Sequence, residues 1–288
     1  MTGRSLCSEE EAIRRGFGGP DCARRRQVLR ETIATFGQCD PPDRSYRLAR
    51  QNLERWGASS GTPESRLRVD VIRGDWGDVT YSLTRTHGVC FAVLNMANAY
   101  VPGGAYVEGA AAQEENMFRR TDCHFRVGKD EYDRERDRYH PEMTRLLSAQ
   151  DGRVYLDAQR PRVCVRGSEA RLKTDLGYPW LSADQVFPFF ELRAAAQDLR
   201  NGSDFDAGDA RKRIAAQLDT LRDHQIRHVV LGAFGCGAFR NPADRVAGIY
   251  REEIAARSED FVVIVFAIFS AGYGPDNFTP FARAFGRE

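Results

Sequence analysis

The sequence predicts an α/β fold, a sheet with helices on both faces. Three observations carry this expectation. Residues 89–96, apolar but for Asn95, and the apolar run 261–269 have the pattern of strands buried on both sides. Segments with helical spacing of apolar residues lie between such runs, most clearly at 207–224 and 242–257. Glycine-bearing connections separate the two kinds of segment, so that strand, loop, helix and strand recur in that order.

Residues 9–56 read as helical: Val28, Leu29, Ile33 and Phe36 have helical spacing behind the run Arg24, Arg25 and Arg26. That run is expected to be a solvated face, the alternative being a contact with a polyanion. Residues 57–63 form a small polar linker. Residues 67–72 read as a strand, 76–86 as a helix and 89–96 as a central strand. Residues 109–121 are expected to form a helix with alanines early. Residues 128–151, dense in charge, read as a surface excursion with some helix. Strands follow at 154–156, 162–165 and 185–192. Next come the helix at 207–224, a strand at 228–233, a glycine loop at 235–239, a helix at 242–257 begun by Pro242, and a last buried strand at 261–269. The chain thus divides into an N-terminal helical accessory region, 1–60, and an α/β core, 61–288. No repeat or low-complexity tract is present.

With 288 residues, of which 42% are hydrophobic, the chain can bury a full core. The formal net charge of +1 excludes a global field toward nucleic acid or membrane, and no nucleic-acid-binding motif accompanies the N-terminal arginines. Only Lys129, Lys173 and Lys212 are lysines, a bias that genome composition explains more simply than phosphate binding. The seven cysteines are scattered with no two-residue spacing, which supports neither a zinc ribbon nor a redox pair. Free thiols in a reducing compartment fit best. No secretory signal and no apolar run of membrane-spanning length is read, so the expected location is the cytoplasm or, alternatively, the nucleus. The protein is expected to act as a monomer.

Two strands are expected to end in glycine loops that run into helices. The first loop holds Asn95-Met96-Ala97-Asn98 and Pro102-Gly103-Gly104-Ala105, followed by Gln113-Glu114-Glu115. The second is Leu231-Gly232-Ala233-Phe234-Gly235-Cys236-Gly237-Ala238-Phe239. Ligands of open α/β sheets bind beyond the carboxyl ends of the strands. Glycine permits close backbone approach, and helix N-termini offer N–H groups to phosphate. Either loop alone is as readily structural; side by side, the two could clamp a diphosphate. No Gly-Lys-Ser or Gly-Lys-Thr follows, and the three-glycine dinucleotide spacing is missing, which disfavours a nucleoside triphosphatase and a nicotinamide dehydrogenase.

Taken together, these residues resemble the poly(ADP-ribose) glycohydrolases, in particular the compact microbial type. The likeness runs from about Arg24 onward and rests on Ala97-Asn98, Pro102-Gly103-Gly104, Gln113-Glu114-Glu115, the loop from Gly232 to Phe239 with Asn241-Pro242, and the closing strand to Phe269. It implies a macrodomain-like mixed sheet flanked by helices, a substrate that is ADP-ribose polymer or an ADP-ribosylated protein, and a diphosphate between the two loops. In the family pattern Glu115 is the general acid and then the base for water, and Glu114 orients the ribose hydroxyls. Asn98 holds the distal ribose, Phe239 packs on it, and an aspartate placed like Asp75 meets the adenine amine. Gly103, Gly104, Ala105 and Gln113 of the first loop, with Gly235, Cys236, Gly237 and Ala238 of the second, complete the expected binding set.

Each residue has a plainer reading. Two consecutive glutamates usually mark a solvated helix face, Asp75 reads equally as a helix N-cap, Cys236 as a small buried cysteine, and Phe239 and Phe269 as core. About 100° of helix separates Glu114 from Glu115, which assigns them different roles. The sequence departs from the family pattern at Ala105, where a third glycine is usual; a methyl there implies a narrower site or a backbone that alanine dislikes. His224 and His228 straddle a helix end and a strand start, so no shared metal is expected, and the chemistry requires no cofactor. The same pocket and acid would serve a mono-ADP-ribosyl hydrolase acting on arginine or ester linkages, with residues 128–151 recognising the protein. A non-catalytic reader of ADP-ribose would have no need of Glu115.

Overall fold

The structure, a computed structural model, describes residues 3–38, 43–60, 66–170, 175–270 and 274–286. Three helices come first: α1 (Glu9–Arg14), α2 (Pro20–Gln38) and α3 (Arg44–Ser59). Then follow β1 (Arg68–Arg73), α4 (Trp76–His87), β2 (Ala92–Met96) and α5 (Gln113–Arg120). A small hairpin of β3 (Tyr132–Asp133) and β4 (Arg138–Tyr139) leads to α6 (Pro141–Leu147). The chain continues through β5 (Tyr155–Leu156), β6 (Arg162–Cys164), β7 (Phe187–Ala194), α7 (Ala207–Asp223), β8 (His228–Leu231), α8 (Ala243–Ala255), β9 (Val263–Ile268) and α9 (Phe278–Phe285).

Among the described residues, the main sheet runs β1-β9-β8-β2-β7-β5, with β6 also on β7. The pairings from β1 to β7 are parallel, and β5 and β6 join antiparallel. The fold is therefore mixed α/β with a mostly parallel centre. Its strands alternate between two cores. Leu94, Leu231, Ile264 and Phe266 pack beneath α7, α8 and α9, while Val93, Val230, Val263 and Val265 pack with Trp56, Trp76, Met117 and Phe118 on the opposite face. Burial on both faces is why these strands read as continuous apolar runs.

Several expectations need correction. The arginine run is not a solvated face: Arg25 and Arg26 are buried. Arg25 pairs with Glu169 at 2.7 Å, Arg26 donates to the carbonyls of Phe17 and Glu108 at 3.0 Å each, and Arg24 pairs with Asp175 at 2.7 Å. The N-terminal helices also share a core with the sheet, through Ala12, Leu29 and Trp56. Helix α3 continues through Gly57 to Ser59, where the linker was expected, and 61–63 lie outside the described residues. The helix expected at 109–121 begins only at Gln113. Gly109 takes φ +98°, and a Cβ there would lie 2.5 Å from the Cys22 carbonyl oxygen, so the chain turns tightly against α2 before α5 starts. Residues 128–151 do not merely cross the surface. Tyr132, Tyr139, Met143 and Leu147 are buried, the Tyr139 N–H donates to Tyr100 O at 2.8 Å, and Thr144 Oγ1 donates to Ala99 O at 2.8 Å. Pro242 occupies the N-cap of α8, just outside the first turn. Helix α9 was not anticipated, although Phe278, Phe281 and Phe285 have helical spacing; Phe281 is buried against Phe266.

A charge cluster is buried under the sheet's β7 side. Glu191 and Arg193 on β7 and Arg162 on β6 have no exposed surface. Glu191 accepts from Arg162 Nε at 2.8 Å, from Arg193 Nε at 3.0 Å and from Asn95 Nδ2 at 2.7 Å. Burial alone would raise the Glu191 pKa, but Arg193 and Arg162 outweigh it and hold it at about 2. A folded pKa below the unfolded one gives stability that is full above the ordinary carboxylate value and is lost as pH falls from 4.5 toward 2. Glu191→Ala leaves two buried guanidinium groups short of a partner and is expected to cost about 3–5 kcal/mol of stability at neutral pH. Urea denaturation checks this; a loss below about 1 kcal/mol would show that the pair is replaceable.

Candidate active site

The carboxyl ends of β1, β9, β8, β2 and β7 lie along one edge of the sheet, because these strands run parallel. Since β2 and β8 are direct neighbours, the two glycine loops leave the sheet side by side. This is the crevice where open α/β sheets hold ligands.

The first loop, on its way from β2 to α5, turns at two adjacent left-handed residues, Gly103 at φ +71° and Gly104 at φ +56°. A Cβ on Gly104 would stand 2.4 Å from Glu115 Oε1 and 3.2 Å from Glu114 Oε2, so only glycine fits beneath the two carboxylates. Ala105 has no positive φ, so its methyl imposes no backbone strain. Gln113 locks α5 to the sheet: its Nε2 donates to Leu94 O at 2.9 Å and its Oε1 accepts from Met96 N–H at 3.0 Å. The amide expected at the ligand is thus engaged by strand backbone, at the end of β2.

Glu114 and Glu115 occupy the first turn of α5 and are both buried. Their angular separation around the helix does not part them, because the loop folds over both. Glu114 spends both oxygens: Oε2 accepts from Asn98 N–H at 2.7 Å and Oε1 from Gly103 N–H at 3.1 Å. Glu115 accepts at Oε1 from Ala105 N–H at 3.0 Å. Burial raises the Glu114 pKa well above the usual carboxylate range, and the neighbouring Glu115 adds to it. Burial likewise raises Glu115, against the opposing pull of the Ala105 N–H. A helix N-terminus favours negative charge; here loss of water is the larger effect, and the acid form of each group gains.

Asn98 folds into a turn, its Oδ1 accepting from Tyr100 N–H at 2.8 Å and Val101 N–H at 3.0 Å. In the second loop, Gly235 has φ +74°, and a Cβ there would meet Ala196 Cβ at 2.5 Å and Asn241 Nδ2 at 2.7 Å. Asn241, buried, ties this loop by donating to Gln197 O at 2.7 Å and Gly235 O at 3.1 Å. Cys236 points into the core: burial pushes its thiol up to about 12, and its N–H is held by Ala233 O at 3.0 Å. Gly237 and Ala238 are exposed; a Cβ on Gly237 would meet nothing within 4 Å. Among the described residues, no backbone bond takes up the N–H groups of Gly237 and Ala238, and both residues are exposed. Half-buried Phe239 lies under the Arg200 guanidinium, 4.9 Å from its ring centre.

Asp75 caps α4, accepting from Gly77 N–H at 2.8 Å and from Arg120 Nη1 at 2.6 Å. The exposed Phe269 stands after β9 on the same sheet edge. Sequence reading passed over Asn241 as a tie, Arg120, the Glu191 cluster and Arg200. Glu191 and Arg193 were detectable, since two charges interrupt an otherwise apolar strand; the Arg120 pair with Asp75, 45 residues away, and the stacking of Arg200 on Phe239 carry no local signal. No group of His, Cys, Asp and Glu able to hold a metal occurs among the described residues.

Two glycines separate strain from space. Gly104→Ala is expected to cost about 1–3 kcal/mol, through a left-handed alanine and its clash with Glu115. Gly237→Ala is expected to stay within about 0.5 kcal/mol of the parent. Denaturant unfolding of both variants checks the contrast; equal costs would contradict it.

Residues 35–147, which include the first loop and both glutamates, match the family model described as microbial-type PARG, catalytic domain. No curated protein matches the chain. The fold is that of solved bacterial enzymes. Poly(ADP-ribose) glycohydrolase from Thermomonospora curvata has a TM-score of 0.62 at 23% identity, over 91% of this chain and 99% of that one. The same enzyme bound to the inhibitor ADP-HPD gives 0.59 at 22% identity, with the same coverage of both chains, 91% and 99%. Poly(ADP-ribose) glycohydrolase from Deinococcus radiodurans, in complex with ADP-ribose, gives 0.54 at 22% identity, over 85% of this chain and 92% of that one. The chain therefore has the fold of the bacterial poly(ADP-ribose) glycohydrolases and carries, within residues 35–147, the match to the catalytic domain of their microbial type.

Proposed function

We propose that this protein is an ADP-ribosyl glycohydrolase that cleaves the ribose O-glycosidic bond of poly(ADP-ribose). The observation that carries the reading is the unequal holding of two buried carboxyls: Glu114 accepts backbone N–H groups at both oxygens, whereas Glu115 is gripped at Oε1. Glu114 is thus fixed as an orienting group. Among the described residues no other residue's hydrogen bond engages Glu115 Oε2, and we assign that oxygen to the reacting atom. The matched catalytic domain and the shared fold support the same reading.

A ribose–ribose acetal breaks through an oxocarbenium-like transition state. Burial keeps the Glu115 carboxyl protonated to higher pH than a solvated glutamate. It gives its proton to the departing ribose oxygen as the bond to the anomeric carbon breaks. The resulting carboxylate accepts a proton from the water that then attacks that carbon, which restores the acid and releases ADP-ribose. The diphosphate lies against the exposed N–H groups of Gly237 and Ala238, where glycine leaves room for close approach. Phe239 bounds the distal ribose and Asn98 presents the turn beside it. Gly103 and Ala105 act through the carboxylates they bind, Gly104 by leaving those carboxylates room, and Gly235 through the shape of the second loop. Asp75 meets Arg120 and the α4 cap through Oδ1, a structural duty that stands beside any adenine contact.

Glu115→Gln is expected to lower single-turnover release of ADP-ribose from polymer by about two to four powers of ten. ADP-ribose binding should survive, and Glu114→Gln should be milder in turnover. Near-normal turnover by the Glu115 variant would move the acid elsewhere.

Phe239→Ala removes a half-buried ring that also supports the core, so some stability falls with it. If the ring bounds the ribose, kcat drops in the fraction that remains folded, as monitored by circular dichroism. Loss of folding with unchanged kcat per folded molecule would leave Phe239 a packing residue.

A further inference from the structure

Arg4 belongs to none of the motifs, yet its guanidinium is buried, with 4% of the side chain exposed. Its Nη1 donates to Gly104 O at 2.5 Å. Its Nη2 pairs with Glu108 at 3.1 Å, and Nε and Nη2 bind the two oxygens of Asp137 at 2.7 and 2.6 Å. The segment carrying it is also seated behind the loop: Arg4 N–H donates to Tyr106 Oη at 3.3 Å, and Gly3 packs so tightly on His124 that a Cβ would stand 2.3 Å from the His124 carbonyl oxygen.

The contact with Gly104 has a chemical consequence. Gly104 C=O and Ala105 N–H belong to one peptide unit. Arg4 binds its oxygen, and Glu115 Oε1 accepts from its nitrogen at 3.0 Å. A cation on the carbonyl polarises the peptide and strengthens the N–H as a donor, since hydrogen bonds in a chain reinforce one another at low dielectric. It also fixes the plane of a peptide whose left-handed glycine could otherwise rotate. A purely structural arginine would need only its two carboxylates.

We propose that Arg4 is a positioning residue for Glu115: by holding the carbonyl of the Gly104–Ala105 peptide, it aims and strengthens the N–H that grips the acid, and so governs how readily the acid parts with its proton. This rests on the reading of Glu115 as the general acid. The charges around Glu115 come from several elements. Glu114 and Arg119 are on its own helix, Glu108 is in the preceding loop, and Arg200 stands across the site. Around Asp137 stand Arg4, Arg15 and Tyr132, and Arg15 also pairs with Glu108 at 2.5 Å. Arg4 and Arg15 therefore balance Glu108 and Asp137, and changing one member shifts this balance by one charge.

The signs follow. Without the guanidinium the Ala105 N–H is a weaker donor and the carboxylate form of Glu115 is less favoured. The acid stays protonated to higher pH, and the alkaline limb of kcat/KM moves up. Without the Asp137 charge the cation acts on the peptide less opposed, and the limb moves down. Asp137 takes φ +51°, a conformation that asparagine accepts, and its side chain is 40% exposed, so Asp137→Asn is a mild change.

The test is the pH profile of ADP-ribose release from polymer for the parent, Arg4→Gln, Arg4→Lys, Asp137→Asn and Glu115→Gln, with thermal unfolding of each. Arg4→Gln is expected to lower turnover about tenfold and raise the alkaline limb by about half to one pH unit. Arg4→Lys should recover most of the loss, and Asp137→Asn should lower the limb. Opposite movements in the glutamine and asparagine variants are not produced by general destabilisation. An unmoved limb in both, or movement of both in one direction, overturns the proposal and reduces Arg4 to a structural ion-pair partner. If Arg4→Gln does not fold, the Asp137→Asn limb decides alone: downward supports the proposal, unmoved overturns it. Near-parent turnover by Glu115→Gln would instead contradict the reading of the acid on which this inference stands.

Discussion

The structure depends on one constraint: two consecutive carboxyl groups are kept out of water at the start of a helix. Glu114 and Glu115 are buried where the first glycine loop passes over α5, and three backbone N–H groups of that stretch, from Asn98, Gly103 and Ala105, turn inward to meet them. Water is replaced by fixed dipoles, too few to stabilise two full negative charges. Both groups therefore shift toward the acid form. A surface pair of glutamates would be ionised and useless as a proton donor at neutral pH.

That constraint explains the surrounding backbone. Gly104 must be glycine because the carboxylates occupy the space of its Cβ, and Gly103 because a Cβ would meet Tyr106 at 2.5 Å. Gln113 is spent tying α5 to the end of β2, which sets the height of the helix against the sheet. The second loop obeys a different rule. Its shape is held from below by Asn241 and the buried Cys236, and its outer backbone at Gly237 and Ala238 is left open. One loop is built to hold side chains, the other to keep its outer backbone exposed.

Much of this was legible in the sequence, for identifiable reasons. Apolar runs announced strands buried on two faces, and the two glycine loops with the paired glutamates marked the crevice. The parts that were not legible depend on partners far away in the chain. Arg25 and Arg26 read as surface because their partners Glu169 and Glu108 stand 144 and 82 residues away. The start of α5 was misplaced because alanines favour helix, whereas Gly109 packs against α2 and forces a turn first. The angular separation of Glu114 and Glu115 assigned them different roles, and the loop folded over the helix end holds the first at both oxygens and the second at Oε1. The Asp75 cap was legible from the sequence, whereas its Arg120 pair, 45 residues away, was not.

The central claim is that burial holds Glu115 in its acid form beyond the usual carboxylate range. Site-resolved titration by NMR of the side-chain carboxyl carbons, with Glu114 and Glu115 told apart by single glutamine variants, measures this without any substrate. The account predicts that Glu115 titrates above the ordinary value of 4.5, and that Glu114, carrying both burial and its neighbour's charge, is also displaced upward. Titration of Glu115 at or below 4.5 in the folded protein would contradict it.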